Sequence, residues 1–500
     1  MIEFSPVDGG IVGLYLLATM VAGVAVRRYV GKVEHFLVAG REMNVYLGIA
    51  SLAATEFGIV TCMYAAQNGY EKGFAGATPG ICMALAMFFV GWTGFCVKPL
   101  RDAGVMTVPE LFDKRFGQRI RWLSGVVIVL GGLLNMGAFL RTGGEFLVTV
   151  TGMELKYLEI TMTALLVLVA VYTVLGGMLS VLVTDFLQFV VMSVGLIAVT
   201  GLIFGRIGWG GLTAAVEKHH GAGGFNPFLH PDMGWEYVLF NVLLNLGAVL
   251  TWQTTIQRFL MAKDTRTGRK IYVGTSFFFV CRFLIPAIWG IAALAMLAPG
   301  LINPADAEST RKAMPLFLAG FVPPGLMGIL IAAMLAADMS TDSSYMLTWS
   351  SVIYNDILAP FRKTRWSEKR GLLWSRTIVA LIGVFLLFYG LWYPLTKNLW
   401  DYLTVTGTIY LSSMTTLLIA CCYWKRANSW GAAGAIILGA VIPVAYLILE
   451  KVPSTKEFAD SIGSSFAGIA AFGFSGLAMV VGSLLKPRKE PSMDGGRNEP

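Results

Sequence analysis

The stretch Ile331–Ser344, IAAMLAADMSTDSS, decides how the rest of the chain is read. It begins as an apolar helical run and then places two aspartates and four hydroxyls between Asp338 and Ser344. The hydropathy of the flanking residues puts this cluster inside a membrane, where polar side chains are costly and mark functional sites. On a helix turning about 100° per residue, Ala337, Ser340, Thr341 and Ser344 share one arc, and Ser340, Ser343 and Ser344 share an overlapping one. Both arcs offer oxygen, the ligand a hard monovalent cation takes, so two arcs can serve two ions. Asp338 and Asp342, four residues apart, share a separate face and are expected to meet a partner or a water-filled path.

Composition supports that placement. Of 500 residues, 56% are hydrophobic and 14% charged, against about 25% charged in soluble domains. Apolar runs of roughly 20 residues, enough to cross a bilayer as helix, recur along the whole length. The first of them passes into Arg27 and Arg28 without a small-residue cleavage site, so no leader is expected. The six cysteines show no metal-ligand spacing and read as buried free thiols, and the four histidines are expected in loops. Missing soluble modules and a missing phosphate-cradling loop argue against a receptor kinase, an ATP-driven pump or a transporter-derived sensor. An integral-membrane enzyme or a channel would show a metal or nucleophile constellation, or a selectivity filter, and neither is evident.

The pattern predicts thirteen spans, the ninth containing Ile331–Ser344. With the N-terminus outside, the loops assigned to the cytoplasm and the tail hold 27 of the 38 lysines and arginines, and nine lie in the opposite loops. That bias sets the N-terminus out and the C-terminus in. The loop from Arg206 to Glu236 is Gly-rich and expected to pack on the surface, and residues 486–500 read as a disordered cytoplasmic tail.

Two spans carry interruptions. Span two reads Ala53-Ala54-Thr55-Glu56-Phe57-Gly58 near its middle, and span seven reads Thr251-Trp252-Gln253-Thr254 after Asn241, Asn245 and Gly247. Unwound backbone at that depth must line a cavity or be satisfied by protein. Interruptions five spans apart suit an inverted repeat of five helices. Small and hydroxylated residues are equally explained by close helix packing, but a mid-span carboxylate such as Glu56 is not.

Several ordered motifs resemble the sodium–solute symporter family: FLVAGR (Phe36–Arg41), SLAAT (Ser51–Thr55) before the broken helix, TVPELFDKRFG (Thr107–Gly117), GGMLSVLVTDFLQ (Gly176–Gln188), WQTTIQRFLMAKD (Trp252–Asp264), AADMST (Ala336–Thr341) and YWKRAN (Tyr423–Asn428). The resemblance covers about residues 9–485. It implies an all-α integral membrane fold of about thirteen helices with a LeuT-type 5+5 inverted-repeat core. One transporter domain, 1–485, would comprise an extra helix (9–27), repeats at about 45–204 and 237–424, and C-terminal helices at about 430–485. The implied activity is sodium-coupled symport of a small organic solute by alternating access, at the plasma (inner) membrane and as a monomer. Its partners would be the solute, sodium and the lipid bilayer, with no nucleic acid, no enzymatic activity and no cofactor beyond sodium as coupling ion.

By motif, the resemblance implies a first sodium site of carbonyls from Ala54, Phe57 and Ala337 with the hydroxyls of Ser340 and Thr341. A second site, present in some members, would use Asp185, Ser340, Ser343 and Ser344. Solute-binding candidates are Thr55, Glu56, Gln67, Trp252, Gln253, Thr404 and Thr406, with the intramembrane arginines Arg141 and Arg282. A guanidinium binds carboxylate bidentately, so Arg282 and Arg141 favour an organic acid or amino acid. The alternatives are pairing of each arginine with Glu56, Asp338 or Asp342, a neutral solute such as a sugar, or proton coupling through a buried carboxylate.

Overall fold

The computed structural model describes residues 4–29, 31–361, 366–392 and 398–486. Every regular element among them is helical, beside one isolated bridge between Met43 and Ala262. In chain order the main helices are α1 (Pro6–Ala25), α2 (Val45–Glu56), α3 (Ile59–Lys72), α4 (Thr78–Thr93), α5 (Gln118–Thr151), α6 (Leu158–Arg206), α7 (Gly234–Thr251), α8 (Gln253–Met261), α9 (Thr265–Met296), α10 (Ala307–Phe321), α11 (Leu326–Val352), α12 (Glu368–Trp392), α13 (Leu399–Tyr423), α14 (Ser429–Lys451) and α15 (Pro453–Leu485).

Eleven helical runs among the described residues are long and apolar enough to cross a membrane, where thirteen spans were expected. One run, Leu158–Arg206, holds two expected spans, and another, Ile59–Thr93, holds the third together with the second half of span two, whose first half is the shorter helix Val45–Glu56. In Leu158–Arg206 the chain turns at Gly177, whose φ of 55° and ψ of −150° lie outside the helical range. A Cβ there would also lie 2.4 Å from the Phe36 ring, so both conformation and space call for glycine. In Ile59–Thr93 a 3-10 turn over Gly73–Ala77 joins α3 to α4.

Burial sorts the helices into centre and rim. In its most apolar window α11 is 89% buried, whereas α1 is 17% and α15 28% buried. A helix enclosed by others on every side is a core element. The rim helices turn Leu14, Leu17, Val21, Ile437 and Leu477 outward, an apolar exterior of the kind that faces lipid. Inside, α11 packs on α6 and α2, and α9 packs on α3 and α4. The α3–α9 crossing is backbone on backbone: a Cβ at Gly290 would lie 1.9 Å from the Ala66 carbonyl oxygen, and one at Gly69 2.2 Å from that of Ala287. Small residues permit this approach.

Three expectations about loops change. His35 lies in a short helix, Val33–Val38, and His219 and His220 end another, Gly208–His220, which occupies much of the expected Arg206–Glu236 loop; His230 is outside regular structure. Arg258, counted as a loop cation, is on α8 with no exposed surface. The six cysteines are free, with Cys62 and Cys96 buried and the others partly so. Beyond Lys486, the expected tail lies outside the described residues.

Candidate functional site

Both expected interruptions are present. α2 ends at Glu56, Phe57 and Gly58 are non-helical, with Gly58 extended at φ −83° and ψ 167°, and α3 restarts at Ile59. α7 ends at Thr251, Trp252 is extended, and α8 starts at Gln253. Breaking α2 frees the carbonyls of residues 54–57. Thr341 Oγ1 donates to the Thr55 carbonyl at 2.9 Å, and Thr61 Oγ1 to that of Glu56 at 3.2 Å. Among the described hydrogen bonds, the carbonyls of Ala54 and Phe57 accept none. α11 lies close over the break: a Cβ on Gly58 would sit 2.7 Å from Thr341 Oγ1.

Glu56 joins the two breaks. Its Oε1 accepts from Thr254 Oγ1 at 2.8 Å and Thr255 Oγ1 at 3.0 Å, in the first turn of α8. The N-terminal end of a helix carries partial positive charge, so this buried carboxylate sits where an anion is favoured. Arg282 Nη1 lies 3.3 Å from Glu56 Oε2, and Arg282 Nη2 donates to Thr61 and Tyr64 at 3.2 Å each. Arg282 therefore has an intramembrane counter-ion. Arg141 has one too, Glu145 at 3.1 Å, which also meets Arg311 of α10 at 3.2 Å.

A cavity opens beside the Glu56–Arg282 pair. Polar groups on its wall include Asn135, Asn245, Tyr64 and Thr404. One aromatic layer is Tyr64, Phe283 and Trp400, with Tyr64 and Trp400 ring centres 4.9 Å apart. The other gathers Trp252, Tyr345, Trp349 and Tyr410, with Trp252 stacked on Tyr410 at 5.6 Å and donating Nε1–H to Tyr345 Oη at 3.1 Å. Trp400 and Tyr410 are ten residues apart on α13, which separates the layers by ~15 Å along that helix at 1.5 Å per residue. Apolar and aromatic walls with few fixed polar groups are the usual form of a small-molecule site.

The Asp185 group lies on the far side of the α2 break. Asp185 Oδ1 accepts from Ser340 Oγ at 2.6 Å, and Oδ2 from Ser51 Oγ at 2.5 Å. The Arg258 guanidinium enters the same group, 3.4 Å from Asp185 Oδ2 and bonded to Thr55 Oγ1 at 2.7 Å and to Ser344 Oγ. Ser343 turns aside, donating to the Ser340 carbonyl at 3.2 Å. Desolvating an unpaired guanidinium is costly, and this ring of oxygens offsets that cost.

Of the residues singled out from sequence, Glu56, Trp252, Arg282, Thr404 and Thr341 line the cavity. Thr55 and Ser340 face the Asp185 group instead. Gln67 bonds Glu71 and Thr310 at 3.0 Å each, beyond the Tyr64 layer. Thr406 accepts from Asn135 at 3.2 Å behind the cavity wall, and Gln253 is buried with no described partner for its amide. Arg141 is on α5 outside the cavity lining. Asp338 and Asp342 are buried, with no hydrogen bond or ion pair among the described residues. Asp338 lies against Gly143 of α5, where a Cβ would be 3.0 Å from Oδ1. Asn135, Tyr64, Tyr345 and Trp400 were not anticipated, since isolated polar or aromatic residues in a span carry no distinguishing sequence signal. Arg258 was missed as a site residue because it stands near a run of loop cations.

The sodium:solute symporter family profile matches residues 36–439. Sodium/glucose cotransporter 4 of Danio rerio is 28% identical, covering 91% of this chain and 73% of its own. Sodium/glucose cotransporter 1 of Oryctolagus cuniculus is 27% identical over 89% and 72%, and sodium/myo-inositol cotransporter 2 of Homo sapiens is 27% identical over 89% and 70%. The substrate-bound, outward-open structure of a Na+-coupled sialic acid symporter superposes with a TM-score of 0.82 at 19% identity, covering 98% of this chain and all of that one. MhsT in complex with L-phenylalanine aligns with a TM-score of 0.52 at 14% identity, over 89% and 98%. The fold is thus the LeuT-type architecture expected from sequence, and sodium is the coupling ion. The chain belongs to the sodium:solute symporter family: it is a multi-pass membrane carrier of a small solute and sodium, not an enzyme.

Proposed function

We propose that this symporter carries a neutral polyhydroxylated solute of the sugar or inositol type, bound in the cavity beside Glu56 and Arg282. The observation that carries this reading is the internal pairing of Arg282 with Glu56 at the start of α8. Half-helix N-termini can hold the anionic group of a substrate, but here the chain's own carboxylate takes that position. An acid solute would bring a second negative charge next to Glu56, and like charges there repel. A neutral polyol suits the paired groups: hydroxyls can donate to Glu56 and accept from Arg282, Asn245 or Asn135 while ring faces lie against Trp400 and Tyr64. The names of the sodium/glucose and sodium/myo-inositol relatives favour the same class.

Sodium is assigned to the carbonyls of Ala54, Phe57 and Ala337 with the hydroxyls of Thr341 and Ser340. The unclaimed carbonyls of Ala54 and Phe57 support it, since buried backbone oxygens are rarely left without a partner. The second ion set, Asp185 with Ser340, Ser343 and Ser344, is read as the seat of the Arg258 guanidinium, so one sodium moves per cycle. The thirteen-helix count, the outside N-terminus, the repeats at 45–204 and 237–424, the plasma (inner) membrane and the monomer belong to the same proposal.

Proteoliposomes test both parts. An inward sodium gradient should drive saturable accumulation of a hexose or inositol, with a sodium Hill coefficient of about one, and collapsing the gradient should abolish it. Arg258→Ala should raise the coefficient, and Arg258→Ala combined with Asp185→Asn should return it. Accumulation of carboxylates or amino acids with no response to polyols would sink the solute reading. A wild-type coefficient near two would sink the ion reading.

A further inference from the structure

Where α8 passes into α9, the residues Lys263, Arg266, Arg269 and Lys270 crowd one corner of the bundle near two acids, Asp264 and Asp102. Asp102 accepts from Thr265 Oγ1 at 3.0 Å and lies 3.7 Å from Lys98 Nζ. Asp264 caps α9 by accepting from Thr267 N–H at 2.7 Å, and that bond holds its carboxyl below the usual carboxylate range. Arg269 is committed as well. Its Nε donates to the Gly91 carbonyl at 3.0 Å and a second nitrogen to that of Trp92, closing the end of α4. Lys263, Arg266 and Lys270 are exposed and make no ion pair or side-chain hydrogen bond among the described residues.

Two adjoining grooves share Arg266 and Lys270. One runs between Gly91 and Trp92 of α4 and Val273 of α9; the other reaches Asn44 and Tyr46 at the start of α2. Trp92 is 67% exposed and Tyr46 83%. Exposed Trp and Tyr at the ends of membrane-crossing helices mark the headgroup level of the bilayer. From Trp92 back along α4, Phe88, Leu85 and Ile81 also point outward, and Phe277 does so on α9. That spacing of three and four residues forms one face of a helix. The groove is therefore basic at headgroup depth and continuous with an apolar wall at acyl-chain depth.

Uncommitted cations explain attraction of any phosphate, and basic pockets between membrane helices suit anionic lipid headgroups. The aromatic rim and the apolar wall below it select an amphiphile. We propose that the groove between α4 and α9 binds an anionic phospholipid, its phosphate held by Arg266 and Lys270 and its acyl chains lying along Leu85, Phe88 and Phe277. The site abuts the helix that carries Arg282, so the lipid would brace α9 against α4.

The test uses the full chain purified in neutral detergent, with native mass spectrometry and thermal unfolding read in parallel. Phosphatidylglycerol should be retained and should raise the unfolding midpoint. Phosphatidylcholine at equal concentration and inorganic phosphate should do neither. Arg266→Gln with Lys270→Gln should weaken phosphatidylglycerol binding about tenfold or more while leaving the lipid-free midpoint at the wild-type value. Equal binding of the two lipids by the wild-type chain overturns the site even if the variant fails to fold. So does a folded variant that binds phosphatidylglycerol as the wild type does, and so does an equal midpoint rise with free phosphate.

Discussion

Glu56 shows how one side chain sets the character of the site. A carboxylate in mid-membrane is expensive unless paired and hydrogen-bonded, and here two threonine hydroxyls and a guanidinium supply both needs. Removing one partner strands the other. Glu56→Gln or Arg282→Gln should each destabilise the protein by about 3–5 kcal/mol, whereas the double variant should lose less than the sum. A double-mutant cycle on unfolding in detergent measures the coupling, and simple additivity would show that the pair does not interact. Sequence marked Glu56 and both intramembrane arginines as anomalies. It favoured an acid solute on Arg282 over internal pairing, because Glu56 and Arg282 are 226 positions apart and only folding brings them together. The same limit applied to Arg258, whose neighbours in sequence are loop cations and whose neighbours in space are Asp185, Thr55 and Ser344.

At the scale of elements, the broken helices were the most legible feature. Gly58 and the polar residues near it announced an interruption, and the backbone leaves helical geometry at Phe57 and Gly58. The φ of Gly58 is negative, so the requirement for glycine comes from α11 above it rather than from conformation. Gly58→Ala would push its methyl against Thr341 and should raise the sodium concentration for half-maximal uptake about tenfold, a cost of ~1.4 kcal/mol. Gly473→Ala, where a Cβ meets nothing within 4 Å, is the control and should transport normally. Equal behaviour of the two variants would show that α11 does not need to approach the break so closely. The division of the hydroxyl cluster was legible only in part: helical arcs separated Ser340 and Thr341 from Asp338 and Asp342. That Ser343 would turn to the Ser340 carbonyl was not readable, because a helical arc gives the side of the helix and not the acceptor a hydroxyl chooses.

Across the whole molecule, the cavity lies between a network near Gln67 and the Trp252 layer. Beyond Tyr64, Glu71 accepts from Thr310 at 2.5 Å and from Asn398 at 2.7 Å, tying α3, α10 and the start of α13 together. Arg311 ties α10 to α5 through Glu145. The proposed outside N-terminus would put this end at the exterior and the basic corner of α9 at the cytoplasm. In a cysteine-free background on intact cells, a membrane-impermeant maleimide should label Ala305→Cys. It should reach Arg426→Cys only after permeabilisation, and the reverse pattern would invert the topology.

Hydropathy, loop charge and ordered motifs, all local or periodic properties, were enough by themselves to determine a multi-helix membrane carrier with a broken second and seventh span and a polar ninth. Those properties follow from the bilayer's demand for satisfied backbone and apolar surface, which every segment must meet where it stands. Only the tertiary structure decided which charges neutralise one another, that Glu56 takes the start of α8, and that Arg258 sits among the oxygens of Asp185. Such pairings depend on helix crossings at distances of a few ångströms, which no run of adjacent residues encodes.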